Sequence, residues 1–584
     1  MGMFKNLDLI WPYLRRYRAY MWWGFGATAA SNGLSLLMPI VLRSAIDRIS
    51  DHNDASHLLI DALIIISLAA FARVFRFWMR RTIIWASRKV EYDLRADLFA
   101  HILRLDAGFF DKTPTGDIVT KASSDVEQVR MMVGPAVMQG MNTLVTAAVA
   151  VPMMVYLDAH LALIVLLPLP ILALVTHLIG SVAHQRFMAI QKRFSELSAS
   201  VQETLSGIRV VKTHVRETEK ERTFREDNLD YFKLNMGLIN ISAGFFPFLG
   251  MISGATILLV LYFGGKGVIA GEIGLGTFVA FMIYMGMLIW PMIALGWVVS
   301  LYQRGTASLR RLGTIFNTTP TVNDPPPDLA THLAAGGVLE MRNLTFSYNG
   351  NGHSALHNIS FSISPGETVA IAGPTGCGKS TIGHLLWRRY AVGDGAMLLG
   401  GIDANRVPVA EWRSQIAMVP QEPFLFSETL RANIEFSGHS LDENRLNQLG
   451  EYAALNKDVA DFPEGYNTIV GERGITLSGG QKQRATLARA LASPAGILVL
   501  DDAFSAIDAQ TEEEILGRLS TLFGSRIIIL ITHRISTLQR ADRVLFLDEG
   551  RLADSGTHNE MVTRGGPYAR WVAREALKEK LEEL

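Results

Sequence analysis

The stretch Glu367–Leu386 reads ETVAIAGPTGCGKSTIGHLL. An apolar, β-prone run from Thr368 to Ala372 leads into a glycine-rich loop, and helix-forming residues follow it. Gly373, Gly378, Lys379 and Ser380 fit the spacing G-x-x-x-x-G-K-[ST] between that strand and that helix. The chemistry follows from the residue types. Gly373, Pro374, Thr375, Gly376, Cys377 and Gly378 form a loop whose backbone N–H groups can wrap a polyphosphate. The helix opening at Lys379, Ser380 and Thr381 aims its positive end at the same place. Lys379 is placed to neutralise terminal phosphates, and the Ser380 hydroxyl is placed to hold Mg²⁺. The stretch therefore implies an α/β nucleotide-binding domain that takes a nucleoside polyphosphate with Mg²⁺.

A second stretch completes the chemistry. Ile497–Asp508 reads ILVLDDAFSAID, an apolar run ending in two carboxylates. Asp501, at the strand's end, suits a Mg²⁺ contact made through water or through another ligand of the ion. Asp502 is the group placed to polarise an attacking water, and it is one methylene shorter than the glutamate usual at such a place. Between the two stretches, Thr476–Ala490 reads TLSGGQKQRATLARA. It sets Ser478, Gly479, Gly480 and Gln481 at the start of an amphipathic helix, a second phosphate-facing N-terminus. The chain has a single P-loop, so this second cradle is expected to serve the nucleotide of another subunit.

The first half is of another kind. The chain has 584 residues, too many for one ordinary domain, and 49% are hydrophobic, with the long apolar runs concentrated before residue 305. Six stretches meet the ~20 residues needed to span a bilayer: Tyr20–Leu42, Leu58–Trp78, Val133–Leu157, Leu161–Val182, Ile241–Val268 and Thr277–Leu301. The second-to-third and fourth-to-fifth connections are long and rich in Lys and Arg, whereas LDAH (Leu157–His160) and GGKGVIAGEIGLG (Gly264–Gly276) are short and poor in them. The positive-inside rule puts the long connections and both termini in the cytoplasm. Both keep helical periodicity and break once, at GFFDKTPTGDI (Gly108–Ile118) and at Ser206–Gly207, so each should present a short transverse segment far below the membrane. The polar stretch with NDPPPD (Asn323–Asp328) reads as a linker. The expected domains are a membrane domain over 1–305, a linker over 306–337 and a nucleotide-binding domain over 338–584. A formal net charge of +0 gives no support to nucleic acid as a partner. The one cysteine, Cys377, rules out an intramolecular disulfide, and no cleaved signal peptide is read at the N-terminus.

On these motifs the chain resembles the ATP-binding cassette (ABC) family, as a half-transporter of the exporter type. The resemblance covers nearly all of the chain. It implies a six-helix polytopic membrane domain fused to a P-loop NTPase domain, an ATPase that works as a dimer at the cell inner (cytoplasmic) membrane. By that resemblance Tyr348 in FSYNG stacks on adenine, and Gln421 in VPQEPFLF contacts Mg²⁺ and senses the attacking water. It also makes SAID (Ser505–Asp508) a loop that crosses to the partner with Asp508, and His533 in ITHRIST the γ-phosphate histidine. GERG (Gly471–Gly474) would touch the long cytoplasmic loops.

Asp502 departs from the family pattern, which has glutamate. The combination resembles the degenerate-site subunit of heterodimeric bacterial multidrug or lipid exporters. It implies a second half-transporter that supplies a catalytic Glu, with membrane lipids and a hydrophobic or amphipathic substrate (drug, lipid or peptide) as the other partners. The alternatives are a homodimer in which Asp502 is the working base and a catalytically weak regulatory or channel-like subunit. Two further features of the membrane half stand out. Arg73, Arg76 and Arg80 share one helix face, and Arg76 at least is expected to face the inner-leaflet cavity or an anionic lipid headgroup. Met282, Met285, Met287, Trp290 and Met292 in the sixth span could line an adaptable apolar cavity.

Overall fold

The structure is a computed structural model that describes residues 8–50, 57–333, 336–348, 354–438, 440–471, 474–475, 477–522 and 526–582. The chain falls into two compact units. One comprises Met1–Leu103 and Thr115–Thr318, the other Arg104–Pro114 and Thr319–Leu584.

The first unit is helical. Its long elements are Arg18–Ser50, Leu58–Ile102, Pro168–Ser206, Glu217–Leu259 and Leu275–Phe316, with a nearly continuous helical run over Thr115–Leu157. Among the described residues, all of these except Pro168–Ser206 are long and apolar enough to cross a membrane. The fourth expected span, 161–182, is helical too, as Ala159–Leu166 followed by Pro168–Ser206. Leu167 between them keeps helical dihedrals, while Pro168 and Pro170 offer no N–H and interrupt the hydrogen-bond ladder. The 45 residues of Leu58–Ile102 measure about 68 Å at 1.5 Å per residue, against about 30 Å of hydrocarbon, so the helix overruns a bilayer by several turns.

The breaks have local causes. Thr113 is extended (φ −119°, ψ 110°), as the residue before Pro114 prefers, and this ends the short helix Ala107–Lys112. Gly207 separates Pro168–Ser206 from a second short helix, Ile208–Thr213. Inside the membrane unit the buried Tyr284 hydroxyl donates to the Leu36 carbonyl at 2.7 Å, giving a polar tip its partner in an otherwise apolar core with Met154, Phe281 and Met285.

The second unit holds two sheets. An antiparallel one has the order β2-β1-β4-β5, from β1 (Leu339–Phe346), β2 (Leu356–Ile363), β4 (Met397–Leu399) and β5 (Ile402–Asp403). The other contains β3 (Thr368–Ala372), β6 (Ile416–Val419), β7 (Ile497–Asp501), β8 (Ile527–Ile531), β9 (Arg543–Asp548) and β10 (Arg551–Gly556), in the order β10-β9-β3-β8-β7-β6. All its pairings are parallel except that of β10 at the edge.

Side chains alternate along a strand, so each parallel strand feeds two cores. Ala370, Leu498, Leu500, Ile528 and Leu530 pack on one face against the helix Gly479–Ala492 and the C-terminal Tyr568 and Trp571. Val369, Ile371, Val499, Ile527 and Ile529 pack on the other against the helix Lys379–Leu386 and the antiparallel sheet. Every residue of β7 and β8 is buried, which is why both read as unbroken apolar runs rather than alternating ones. The consequence for chemistry is positional. β3, β8, β7 and β6 lie side by side and parallel, so the loops leaving their C-terminal ends line one edge of the sheet, where α/β proteins bind ligands.

Candidate functional site

The loop leaving β3 is held open by its glycines. Gly373 has φ 149°, and a Cβ there would stand 2.2 Å from the Leu547 carbonyl oxygen. Gly378 has φ 102°, and a Cβ there would stand 2.7 Å from the Leu356 side chain. No other residue type fits either position without moving backbone or core. Lys379 folds back over the loop and donates to the carbonyls of Gly373 and Pro374, both at 2.8 Å. The Ser380 hydroxyl donates to Asp501 at 3.0 Å, and the Tyr348 hydroxyl to Thr381 Oγ1 at 3.0 Å. Tyr348 keeps its ring partly exposed and edge-on to Phe346 and Tyr390. Cys377 is buried within the loop, and burial pushes its thiol pKa up against the pull of Lys379.

Asp501 ends β7, buried. Burial raises its pKa to about 6; the Ser380 hydrogen bond opposes the shift and the charge of Asp502 adds to it. Asp502 follows in the left-handed region at φ 44°, with its N–H donating to the Ile531 carbonyl at 2.8 Å. That bond ties the turn after β7 to the end of β8 and brings the Asp502 carboxylate 3.3 Å from the His533 Nδ1. This contact raises the His533 pKa, against its burial. A non-glycine residue at positive φ is strained, and such strain survives only where the surroundings hold it.

Lys379, Ser380, Thr381, Tyr348, Asp501, Asp502 and His533 are thus joined through direct contacts along one sheet edge. Gln421 lies just past β6 on the same edge and is exposed. Ser478, Gly479, Gly480 and Gln481 make no hydrogen bond to the phosphate loop among the described residues. Ser478 and Gln481 instead form a reciprocal capping box, and Gln481 also reaches Asp458 at 2.9 Å. Asp508 caps the helix Ala509–Leu522 through the Thr511 N–H at 2.9 Å, and that bond lowers its pKa. Of GERG, Glu472 and Arg473 lie outside the described residues.

Two residues with no motif reading organise the site. Gln483, buried on the Gly479–Ala492 helix, donates to Ser505 Oγ at 2.7 Å and to the Asp502 carbonyl at 3.5 Å, and accepts from the Ala506 N–H at 2.9 Å. Arg534, next to His533, donates to the carbonyls of Ser505 and Ile507 and pairs with the buried Glu512. In sequence both read as ordinary polar positions, because their partners come from elsewhere in the chain.

Comparison with known proteins decides the family. Residues 21–292 match the ABC transporter transmembrane region, and residues 356–505 match the ABC transporter family. The chain is 33% identical over 591 residues to the multidrug resistance-like ATP-binding protein MdlA of Escherichia coli, covering 100% of this chain and 98% of that one. The chain is an ABC exporter. It is also 31% identical over 570 residues to the ATP-dependent lipid A-core flippase of Syntrophus aciditrophicus, covering 97% and 94%. A bacterial Atm1-family ABC exporter solved with ATP bound superposes with a TM-score of 0.78 at 26% identity, over 96% of this chain and 98% of that one. The exporter is thus a membrane ATPase coupled to transport, with its transmembrane and ATP-binding parts on one chain. The tight glycine loop and its lysine fit the polyphosphate of ATP, and a Cβ at Gly373 or Gly378 would displace the backbone and core that shape the loop.

Proposed function

We propose that this exporter moves or flips a hydrophobic or amphipathic substrate across the cytoplasmic membrane as one half of a heterodimer, with one weak and one competent ATPase site. Two relatives whose names concern multidrug resistance and lipid A-core flipping support the substrate class. In this reading the chain spans the inner membrane several times, with the nucleotide-binding domain, the long connections and both termini in the cytoplasm. Lys379 and the loop amides hold the phosphates, and Tyr348 takes the base. Ser380, Asp501 and Gln421 supply oxygen donors suited to Mg²⁺, which would balance phosphate charge when bound. Ser478–Gln481 and Asp508 serve the partner's nucleotide.

The observation that carries the weak-site reading is the seating of Asp502. Its carboxylate ends roughly 1.5 Å short of where a glutamate's would, enough to spoil proton-transfer geometry. Its backbone cannot advance to compensate, because its N–H is bonded to Ile531 and its carbonyl accepts from Gln483. Asp502 turns toward His533 instead.

That same 3.3 Å contact favours the second reading, a homodimer in which Asp502 and His533 work together as the base. Steady-state ATPase of the assembled pair separates the two. Asp502→Ala should change turnover little, while removal of the partner's glutamate should cost ~10²–10⁴-fold. Equal and severe losses from both changes would establish Asp502 as a working base.

A further inference from the structure

Within the membrane unit lies a cavity of about 500 Å³, walled by the helices Arg18–Ser50, Leu58–Ile102, Thr115–Leu157 and Leu275–Phe316. Its lining combines three kinds of group. Arg73, Arg76 and Arg80 project from one face of Leu58–Ile102. Gln139 adds a buried side-chain amide whose Nε2 has no hydrogen-bond partner among the described residues. Met287 and Trp290 supply an apolar wall from Leu275–Phe316.

The charges do not balance. No Asp or Glu lines the cavity, and none of the three arginines makes an ion pair among the described residues. Other arginines of the same unit do find carboxylates, among them Arg48 with Asp61, Arg95 with Glu91 and Arg311 with Asp125. Unpaired cations at membrane depth are expensive and face a cavity or a partner. Arg73 stands fifteen residues into its helix from Leu58, about 23 Å along the axis at 1.5 Å per residue, which in the proposed topology puts the cluster in the inner half of the bilayer.

We propose that this cavity binds the anionic head of an amphiphile, a phosphate, carboxylate or sulfonate, on Arg73, Arg76 and Arg80. The Gln139 amide donates to the same head, and the apolar tail lies against Met287 and Trp290. Planar guanidinium groups bind tetrahedral and planar oxyanions through paired N–H donors, which a point charge does not reproduce. The same three charges repel a cationic amphiphile, so the site selects by repulsion as well as attraction. The proposal rests on the export reading and names the substrate head that reading leaves open.

The test uses the full exporter with its partner in phosphatidylcholine nanodiscs. Binding is measured for three probes: dodecyl phosphate, dodecyltrimethylammonium and inorganic phosphate. Dodecyl phosphate should bind at least about 10-fold more tightly than either, and Arg76→Gln should weaken it about 10-fold or more while Arg76→Lys recovers part of the loss. Equal binding of the two dodecyl probes by the unmodified protein would overturn the proposal without recourse to any variant. So would unchanged dodecyl phosphate binding in a folded Arg76→Gln protein.

Two further arms separate the sources of the anion and the two readings. ATP-driven translocation of dodecyl phosphate in vesicles supports a transported head. Displacement of bound dodecyl phosphate by phosphatidylglycerol, with no translocation of the probe, would assign the site to a resident lipid and overturn the substrate form. If no amphiphile is transported yet head-selective binding is lost in Arg76→Gln, the export reading fails and the anion site stands. If neutral amphiphiles are transported and dodecyl phosphate is not bound, the export reading stands and the anion site fails.

Discussion

The Tyr390 hydroxyl donates to the Asp111 carboxylate at 2.5 Å, tying the short helix Ala107–Lys112 to the nucleotide-binding unit although the helices on either side of it belong to the membrane unit. Arg389 reinforces the hold on Asp111 at 3.4 Å. The Tyr390 ring stands edge-on to Tyr348, 5.2 Å away between centroids. Burial, and then the Asp111 hydrogen bond, raise the Tyr390 pKa, so the hydroxyl stays a donor at neutral pH. Tyr348, proposed to take the base, therefore touches the tyrosine that grips the helix Ala107–Lys112.

Tyr390→Phe keeps the ring contact and removes only the grip. The expected outcome is uncoupling: transport per ATP hydrolysed falls about threefold, the scale of one partly exposed hydrogen bond to a charged group, while nucleotide binding is retained. The measurement is the ratio of substrate moved to phosphate released. An unchanged ratio would mean that the contact carries no coupling.

Gln483 tests the internal bracing of the site. Gln483→Ala strands the Ala506 N–H and releases Ser505, loosening the Ser505–Asp508 loop that in the proposed reading serves the partner's nucleotide, at a cost of about 1–3 kcal/mol. We expect kcat for ATP to fall roughly tenfold at unchanged KM in the assembled exporter. A rise in KM alone would place Gln483 in binding rather than positioning.

Asp501 predicts a stability profile. Its carboxyl has a higher pKa folded than the usual 3.8, so protons favour the folded state. Stability from this group is full below about 4 and is lost as pH rises through about 6. Asp501→Asn removes the buried charge and can still accept from Ser380. In the absence of nucleotide and metal, the full-length variant should therefore be more stable at pH 7.5 by about 3 kcal/mol, and the gap should close as pH falls toward 4. Thermal unfolding at the two pH values decides it, and a gap independent of pH would refute the assignment.

Cys377 is the chain's one cysteine, and its buried thiol should react slowly with maleimide at pH 7 and faster as pH rises. A Cβ at Gly373 would already come within 2.7 Å of its Sγ, so no adduct fits the loop. Labelled protein, quantified by mass, should lose ATP binding, and prior ATP should protect. Full labelling with undiminished binding would show that the loop opens more widely than its packing allows.

What the chain alone determined is whatever is written in consecutive residues. A phosphate cradle needs successive backbone N–H groups and glycines at fixed offsets, so Gly373–Thr381 was legible, as was the apolar strand delivering Asp501 and Asp502. Membrane spans were legible because lipid demands long apolar runs, and only Pro168 and Pro170 blurred one of them. The rest depends on residues far apart in the chain. The parallel order β3-β8-β7-β6 lays the P-loop, His533, Asp501 and the turn before Gln421 along one edge. Gln483 and Arg534 acquire roles only when their helices pack against the turn after β7. Tyr390 gains its partner only when the fold brings Asp111 to it, and the face shared by Arg73, Arg76 and Arg80 becomes a cavity wall only when three other helices close around it without a carboxylate. Local motifs encode local backbone geometry, whereas charge compensation and bracing depend on which distant side chains the packing brings within reach.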